Sequence, residues 1–364
     1  MTHPWADTPH PAHPARPPSI PATATEPPPY PAAAAGPAAA AGPVSAAGQG
    51  PGLAYHRLAR TSAHYRWWRP LVGTGVVMVG AMLVTGALMG SIEVAGNLLN
   101  RPEDSEGFSS WGVIGDAAVW LLPLAVLIPV VLLATRWVGR RPAGTVSSVA
   151  GRVRWSWLAV CLAVALPVSA GTLGLSALLS SDATGTQDVE MASLSSLLLG
   201  LAMVLVVVPF QAAGEEYMCR GWLLQAVGAW CRSPWIAIVP QALLFAGAHG
   251  WGTPWGFADL TAFGLVTAFL TVRTGGLEAG IALHTLNNVL GMGIAALTTD
   301  GLASDETAAD LDWLTVAIDV PMMLLYAAVV LRLARRRRLG TVMVPAAHHA
   351  PVPTVHAPLP GAAR

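Results

Sequence analysis

Two adjacent glutamates and an arginine interrupt an apolar stretch near the middle of the chain. Glu215 and Glu216 follow a run, 194–209, that carries no charge, and Arg220 comes four residues after Glu216. On a helix Glu216 and Arg220 therefore share a face and can pair, whereas Glu215 points about 100° further round. A carboxylate inside a membrane is costly and indicates a functional site. A salt bridge at a helix end would explain Glu216 and Arg220, but it leaves Glu215 without a structural reason.

Two later apolar segments also carry strong hydrogen-bonding groups. His249 follows Phe245 at a spacing of four, and Asn288 follows His284 at the same spacing. Taken alone, His249 is more typical of an ordinary interfacial histidine, and His284 with Asn288 of a helix–helix hydrogen bond. Burying so many polar groups is expensive unless they meet one another or water. Together they predict one polar cavity shared between helices.

The remaining polar and sulfur-bearing residues of the apolar segments are given structural interpretations. Three further acids lie inside these segments: Asp116, Asp259 and Asp319. Three cysteines lie in or beside them without a CxxC spacing: Cys161, Cys219 and Cys231. Isolated cysteines of this kind behave as small buried apolar side chains, and their spacing indicates neither a disulfide framework nor a thiolate zinc site.

The composition predicts an all-α, polytopic transmembrane helical bundle. Hydrophobic residues make up 54% of the chain and charged residues 11%, and the mean hydropathy is +0.54. Several apolar runs approach the roughly 20 residues that a helix needs to cross a bilayer. We predict about eight spans: Leu71–Leu98, Trp111–Trp137, Trp155–Leu179, Ala192–Phe210 continuing into the acidic motif, Ile236–Ala248, Phe257–Val272, Leu277–Leu297 and Trp313–Leu333.

Both ends of the chain are predicted to be disordered tails flanking a bundle over 55–340. Residues 1–54 are rich in Pro and Ala, and residues 341–364 form a second tail rich in Pro, Ala and His. Such segments have too few large apolar side chains to build a core. The N-terminal segment lacks a basic start followed by an apolar core, so we do not expect a signal peptide.

Charge along the chain predicts that both termini are cytoplasmic. Arginines gather before the first predicted span, between the second and third, and after the last, whereas acids gather in the intervening connections. Arginine accumulates in cytoplasmic loops. Arg66, Trp67, Trp68 and Arg69 combine cations with indoles, as at a membrane interface. The Arg335–Arg338 run is interpreted as a topology anchor, and no nucleic-acid partner is expected.

In order along the chain, three motifs resemble the CAAX-protease and bacteriocin-processing (Abi, CPBP) family, which includes the type II CAAX prenyl endopeptidase. They are Glu-Glu-x-x-x-Arg at 215–220, Phe-x-x-x-His at 245–249 and His-x-x-x-Asn at 284–288, within a core of about 191–297. The resemblance implies an eight-helix intramembrane endopeptidase in which a glutamate activates water. On this chain it implies Glu215 as the general base and His249 as a residue that holds the water.

The resemblance further implies that His284 and Asn288 stabilise the oxyanion, and that Glu216 and Arg220 orient the site. If a metal such as zinc takes part, Glu215, His249 and His284, with Glu216 as a further candidate, are its possible ligands. The chain has no HExxH helix, the strongest sequence sign of a metalloprotease. Both routes stay open on the sequence, and we favour metal-independent activation of water.

The composition also indicates the class of substrate and the type of membrane in which the protein resides. The chain is rich in Ala, Pro, Gly and Arg and contains no lysine, which is typical of a high-GC bacterium, where prenylated CAAX substrates would be absent. We therefore expect a membrane-associated peptide or protein substrate in a bacterial plasma membrane. Two other classes stay open: a non-proteolytic module, such as a bacteriocin-immunity factor or partner-binding scaffold, and a carrier of protons or small solutes. Carriers often show inverted repeats, and no convincing repeat is present.

Overall fold

A computed structural model describes residues 52–180, 190–304 and 307–344. Most of both predicted tails therefore lies outside the described residues. Their inner ends form a short antiparallel pair, β1 (Leu53–Ala54) with β2 (Val342–Met343), in which Leu53 faces Met343. The pair holds the segment before the first helix against the segment after the last. The predicted tail boundary at 54 thus lies at the end of β1, and the boundary at 341 lies directly before β2.

The described part of the chain forms ten α-helices. They are α1 (Arg69–Leu98), α2 (Val113–Ala125), α3 (Leu127–Trp137), α4 (Trp155–Ser180), α5 (Leu194–Glu216), α6 (Leu224–Gly228), α7 (Trp235–Ala248), α8 (Pro254–Thr274), α9 (Glu278–Ala295) and α10 (Trp313–Arg336). A π-helical turn, Tyr217–Leu223, joins α5 to α6. Four short 3₁₀ turns lie at Tyr55–Thr61, Ala143–Thr145, Gly301–Ala303 and Ala308–Asp310. Each predicted span is helical, and the all-α class is confirmed.

Within the residues that the structure describes, six helical segments are long and apolar enough to cross a membrane. They are Arg69–Leu98, Val113–Trp137, Trp155–Leu179, Leu194–Gly228, Pro254–Thr274 and Trp313–Arg336. The predicted count of about eight is not confirmed. Helix α7 has 14 residues, or about 21 Å at 1.5 Å per residue, which is less than the roughly 30 Å of the hydrocarbon core. Helix α9 has 18 residues and carries Glu278, His284 and two asparagines among its apolar side chains.

The second predicted span is broken, and the fourth changes its winding at the acidic motif. Pro123 lies inside α2, and the helix is interrupted at Val126 before α3. Helix α5 ends at Glu216, and the π-helical turn begins with the next residue. Wider turns of this kind occur frequently at functional sites. The change in winding therefore coincides with the glutamates that the sequence singles out.

Helix α9 occupies the interior of the bundle, where it packs against α4, α5 and α8. Its first turns are lined by small residues, of which Ala279 and Ala282 are fully buried. Small side chains allow helix backbones to approach closely where lipid provides no hydrophobic drive for association. This packing brings the polar residues of α9 against the end of α5.

Candidate active site

Glu216 and Arg220 form a buried ion pair. Arg220 Nη1 lies 2.9 Å from Glu216 Oε1, and both side chains are 0% exposed. The pairing expected from their spacing is confirmed. The guanidinium of Arg220 lies over the ring of Phe245, with its carbon 4.1 Å from the ring centroid. Cation–π contact with a desolvated guanidinium partly compensates for burying the charge.

Glu215 points away from this pair and is held by a residue that the sequence analysis missed. Its Oε1 atom accepts a 2.6 Å hydrogen bond from Gln211 Nε2. Gln211 in turn accepts a 3.0 Å hydrogen bond from Asn288 Nδ2, on α9. Gln211 therefore connects Asn288 to Glu215. Its position one helical turn before Glu215 is the local signal that could have identified it.

His284 lies between the two glutamates. Its Nδ1 atom is 3.1 Å from Glu216 Oε1, and its Nε2 atom is 3.7 Å from Glu215 Oε2. A carboxylate can only accept a hydrogen bond, so Nδ1 donates to Glu216. A ring that carries only this one proton presents an unprotonated Nε2 towards Glu215. The result is a buried row of carboxylate, imidazole and carboxylate, closed at one end by Arg220.

Two buried carboxylate oxygens of this row lack a hydrogen-bond partner. They are Glu215 Oε2 and Glu216 Oε2. Phenylalanine rings surround the imidazole between them, with ring centroids 5.9 Å away for Phe245 and 5.1 Å for Phe263. A buried carboxylate oxygen beside such apolar side chains interacts more strongly with a proton donor than it would in water.

Gly280 makes the approach of Glu216 to α9 possible. A Cβ atom at this position would lie 2.4 Å from Glu216 Oε2. Gly280 stands one helical turn before His284, so the two residues lie on the same face of α9. A side chain at Gly280 would therefore displace the carboxylate that receives the hydrogen bond from His284.

Gly214 has a matching role on α5. A Cβ atom there would lie 2.0 Å from the carbonyl oxygen of Leu124, close to the break between α2 and α3. The helix that carries both glutamates consequently rests directly on the backbone of the broken span. The close contact fixes the helix immediately before Glu215.

His249 does not join the row of glutamates and histidine. It is the C-terminal cap of α7, and its Nδ1 atom donates to the carbonyl oxygen of Phe245 over 2.9 Å. Within the described part of the chain it forms no hydrogen bond or ion pair with Glu215 or His284. It is linked to the site through Phe245, whose ring contacts His249, His284 and Arg220. The predicted convergence of His249 on the glutamates is therefore indirect.

The donor set does not fit a three-ligand metal ion. Among residues 52–180, 190–304 and 307–344, no group of three or more His, Cys, Asp or Glu side chains is placed to hold an ion. Glu215 and His284 come together, but His249, the third candidate ligand, stands apart from them. Catalytic zinc sites typically use three protein ligands. We therefore derive no step through a metal.

The three lesser acids and the three cysteines lie outside the row of glutamates and histidine. Asp116 accepts hydrogen bonds from Trp111 N at 2.6 Å and Ser110 Oγ at 2.8 Å at the start of α2. Asp259 on α8 is buried, and Asp319 on α10 accepts a 3.5 Å hydrogen bond from Thr172 Oγ1 on α4. The three cysteines are free thiols.

Comparison with known families agrees with the three motifs. Residues 196–290 match the family model described as Type II CAAX prenyl endopeptidase Rce1-like. This stretch is CAAX-protease-like. It contains the two glutamates and Arg220 as well as the Phe-x-x-x-His and His-x-x-x-Asn motifs, and the family resemblance stated from the sequence is confirmed. Together with the six long apolar helices, it makes the chain an integral multi-pass membrane protein.

Two bacterial relatives match more of the chain than the CAAX-protease-like segment alone. The uncharacterized protein YyaK of Bacillus subtilis (strain 168) is 25% identical over 229 residues, covering 60% of this chain and 73% of that protein. An uncharacterized 24.3 kDa protein of Escherichia coli is 28% identical over 174 residues, covering 46% of this chain and 76% of that protein. No solved structure matches the chain.

Proposed function

We propose that the chain is an intramembrane endopeptidase that hydrolyses a peptide bond in a membrane-associated substrate, with Glu215 as the general base. One observation carries the proposal. Glu215 Oε2 is buried without a hydrogen-bond partner, 3.7 Å from His284 Nε2, inside the CAAX-protease-like segment. Glu216 also has one unpartnered oxygen, but its charge is compensated by Arg220. Among the described residues Glu215 has no arginine partner, so its free oxygen is available to a reactant.

Glu215 Oε2 and an unprotonated His284 Nε2 can together accept both hydrogens of one water molecule. The water oxygen then attacks the carbonyl carbon of the scissile peptide as Glu215 removes one proton. The carbon–nitrogen bond breaks in the second step, and the same proton passes to the leaving amine. A positioned general base of this kind typically contributes about 10²–10⁴-fold in rate.

The remaining residues hold this pair in place. Glu216 accepts a hydrogen bond from His284 Nδ1 and thereby fixes the tautomer of the ring. Arg220 anchors Glu216, and Gln211 anchors the second oxygen of Glu215. Asn288 gives one amide hydrogen to Gln211 and retains the other for a developing oxyanion. Donors of this type are typically worth about 2.7–4 kcal/mol of barrier.

His249 is assigned to the substrate side of the site. Its Nδ1 atom donates to the carbonyl of Phe245, which leaves Nε2 as the ring nitrogen that faces a substrate. The partly exposed ring lies at the end of α7, beside Phe245, whose ring also contacts His284.

We assign the protein to a bacterial plasma membrane with both termini cytoplasmic, because arginine is concentrated before the first span and after the last.

Cleavage of a membrane-proximal peptide library by the purified chain in detergent tests the proposal. Wild type, Glu215→Gln and His249→Ala are compared with and without a chelator. Glu93→Gln is the matched control, because Glu93 lies on α1 and bonds only Asn97 and Ser109. We expect wild type and Glu93→Gln to cleave with or without chelator, and Glu215→Gln to be inactive.

The other outcomes are equally specific. Loss of activity with the chelator and recovery with zinc would replace general-base catalysis with a metal route. Absence of cleavage in every folded sample would favour a non-proteolytic membrane module, because a scaffold needs no base at Glu215. Full activity in Glu215→Gln would remove Glu215 from the reaction.

A further inference from the structure

A cleft whose lining contains neither glutamate opens where α1 begins and α3 ends. Its interior is narrow, about 20 Å³, and its lining includes Tyr65, Arg69, Arg141 and Trp222. Two of these four side chains are cationic, and none is acidic. The cleft therefore offers positive charge without an internal counter-ion.

Arg141 is a buried cation without a carboxylate partner. Its side chain belongs to a residue that is 4% exposed, and Nη1 donates a 2.5 Å hydrogen bond to Thr145 Oγ1. Among the described arginines, only Arg154 and Arg220 form ion pairs with carboxylates. Burial lowers the pKa of Arg141 to about 10, which still leaves the guanidinium charged at neutral pH. An uncompensated buried charge is unfavourable unless an anion completes its surroundings.

The backbone before Arg141 turns its side chain inward. Arg140 adopts a left-handed conformation, with φ at 47°, and its carbonyl oxygen accepts a hydrogen bond from Ser62 Oγ at 2.9 Å. Arg140 itself is exposed, whereas the next residue is buried. A non-glycine residue with positive φ is uncommon and costs free energy. The chain thus accepts local strain at the point where it directs a cation into the protein.

Arg69 supplies the second cation. Its Nη1 atom donates to the carbonyl oxygen of Val138 over 3.0 Å, and its Nε atom is buried without a hydrogen-bond partner. The two arginines belong to different elements, since Arg69 is the first residue of α1 and Arg141 follows the end of α3. Guanidinium groups match phosphate oxygens in planar, charge-assisted hydrogen bonds.

The exposed tryptophans around the cleft indicate its depth in the membrane. Trp67 and Trp68 precede α1, Trp137 ends α3, and Trp230 follows α6. All four are exposed. Tryptophan is enriched at the level of lipid headgroups, and basic pockets between helices at that level suit phosphate-bearing headgroups.

We propose that Arg69 and Arg141 form a binding site for a phosphate group, of the kind carried by a phospholipid headgroup, at the membrane surface. The lining of this site contains neither glutamate nor His284, and the site does not depend on the proposed peptidase activity. Free phosphate shares the same chemistry, so the experiment separates the two sources.

The test titrates the purified full chain in detergent with three probes: phosphatidylglycerol, a diacylglycerol with the same acyl chains, and inorganic phosphate. Unfolding midpoints report stabilisation, and native mass spectrometry counts bound lipid. Arg69→Gln and Arg141→Gln are compared with wild type. Arg136→Gln is the matched control, because Arg136 is exposed on the last turn of α3 and does not line the cleft.

We expect phosphatidylglycerol to raise the unfolding midpoint saturably and diacylglycerol to leave it unchanged. Arg69→Gln and Arg141→Gln should each weaken phosphatidylglycerol binding about tenfold, with Arg136→Gln resembling wild type. A saturable shift with inorganic phosphate that competes with the lipid would support the site and make free phosphate its occupant.

Two results would overturn the proposal. Equal stabilisation by diacylglycerol would show that acyl chains and not phosphate are recognised. An equal loss of binding in Arg136→Gln would reduce the effect to general surface charge. If Arg141→Gln does not fold, Arg69→Gln decides the question alone, because Arg69 is partly exposed and its replacement leaves no buried hole.

Discussion

Gln211 donates a 2.6 Å hydrogen bond to Glu215 from one helical turn earlier on the same helix. The same amide accepts a hydrogen bond from Asn288. We predict that Gln211→Met, which keeps the length of the side chain but removes both bonds, lowers kcat by roughly 10²-fold, the typical effect of a misplaced catalytic group. KM should change much less, because Gln211 is buried behind Glu215. Steady-state cleavage kinetics provide the measurement.

Gln225→Met is the control for this substitution. Gln225 is buried to a similar degree, and it donates to the carbonyl oxygen of Thr145, away from the glutamates. It should lose stability but retain kcat per folded molecule. If both variants lose kcat equally, Gln211 has no special role in positioning Glu215.

A pair of glycine substitutions on α9 tests the close approach of Glu216. Gly280→Ala places a Cβ atom 2.4 Å from Glu216 Oε2, so the carboxylate must move and its hydrogen bond to His284 should weaken. We predict a loss of cleavage of at least about tenfold, a change in barrier of about 1.4 kcal/mol. Cleavage rate and thermal unfolding are measured together.

Gly291→Ala on the same helix provides the comparison. A Cβ atom there would have no heavy atom within 4 Å. Alanine in a helix is favoured over glycine by roughly 0.5–1 kcal/mol, so this variant should be active and equally or more stable. An active Gly280→Ala would contradict the positioning that we assign to Glu216.

Removing one partner of the buried Glu216–Arg220 ion pair should destabilise the protein more than replacing both partners. Arg220→Met leaves Glu216 charged, buried and without its cation. Removing one partner of a buried pair typically costs about 3–5 kcal/mol, so the free energy of unfolding should fall by this order. The double variant Glu216→Gln/Arg220→Met should recover part of the loss, because no unpaired charge is left. The free energy of unfolding in detergent is measured for wild type, Arg220→Met and the double variant, and the exposed Arg136→Met is the control.

His56 should make stability depend on pH. Its Nε2 atom donates to the carbonyl oxygen of Arg232, and Nδ1 is buried without a partner. Burial lowers the pKa of His56; the bond to Arg232 opposes this shift and the charge of Arg57 adds to it. As the pH falls through about 6.5, the histidine therefore takes up a proton in the unfolded chain before it does so in the folded chain. Because the unfolded chain then binds more protons than the folded chain, the free energy of unfolding decreases with falling pH.

Unfolding midpoints at about pH 8 and about pH 5 test this dependence around the ordinary histidine value. Wild type should be less stable at the lower pH, and His56→Gln should lose less stability between the two. His64→Gln, at an exposed position eight residues later, serves as the matched control and should follow wild type. A pH dependence that persists unchanged in His56→Gln would assign it to another group.

Several features were determined by the sequence through local rules. The apolar runs predicted the helical segments that make up the eight proposed spans, but not the short α6 or the break between α2 and α3, since helix formation in an apolar environment satisfies the backbone within the segment. The spacing of Glu216 and Arg220 predicted their pairing, which is confirmed, because residues four apart meet on a helix whatever its neighbours. The three motifs also identified the stretch that matches the CAAX-protease-like family model.

Tertiary packing decided how these pieces meet. His284 reaches Glu215 and Glu216, and Asn288 reaches Gln211, only because α5 packs directly on α9. The same packing keeps His249 at Phe245 and away from the glutamates. Contacts between helices depend on where small residues permit close approach, as at Gly280 and Gly214. Spacing along one helix cannot reveal this, because the partner surface belongs to residues about seventy positions away.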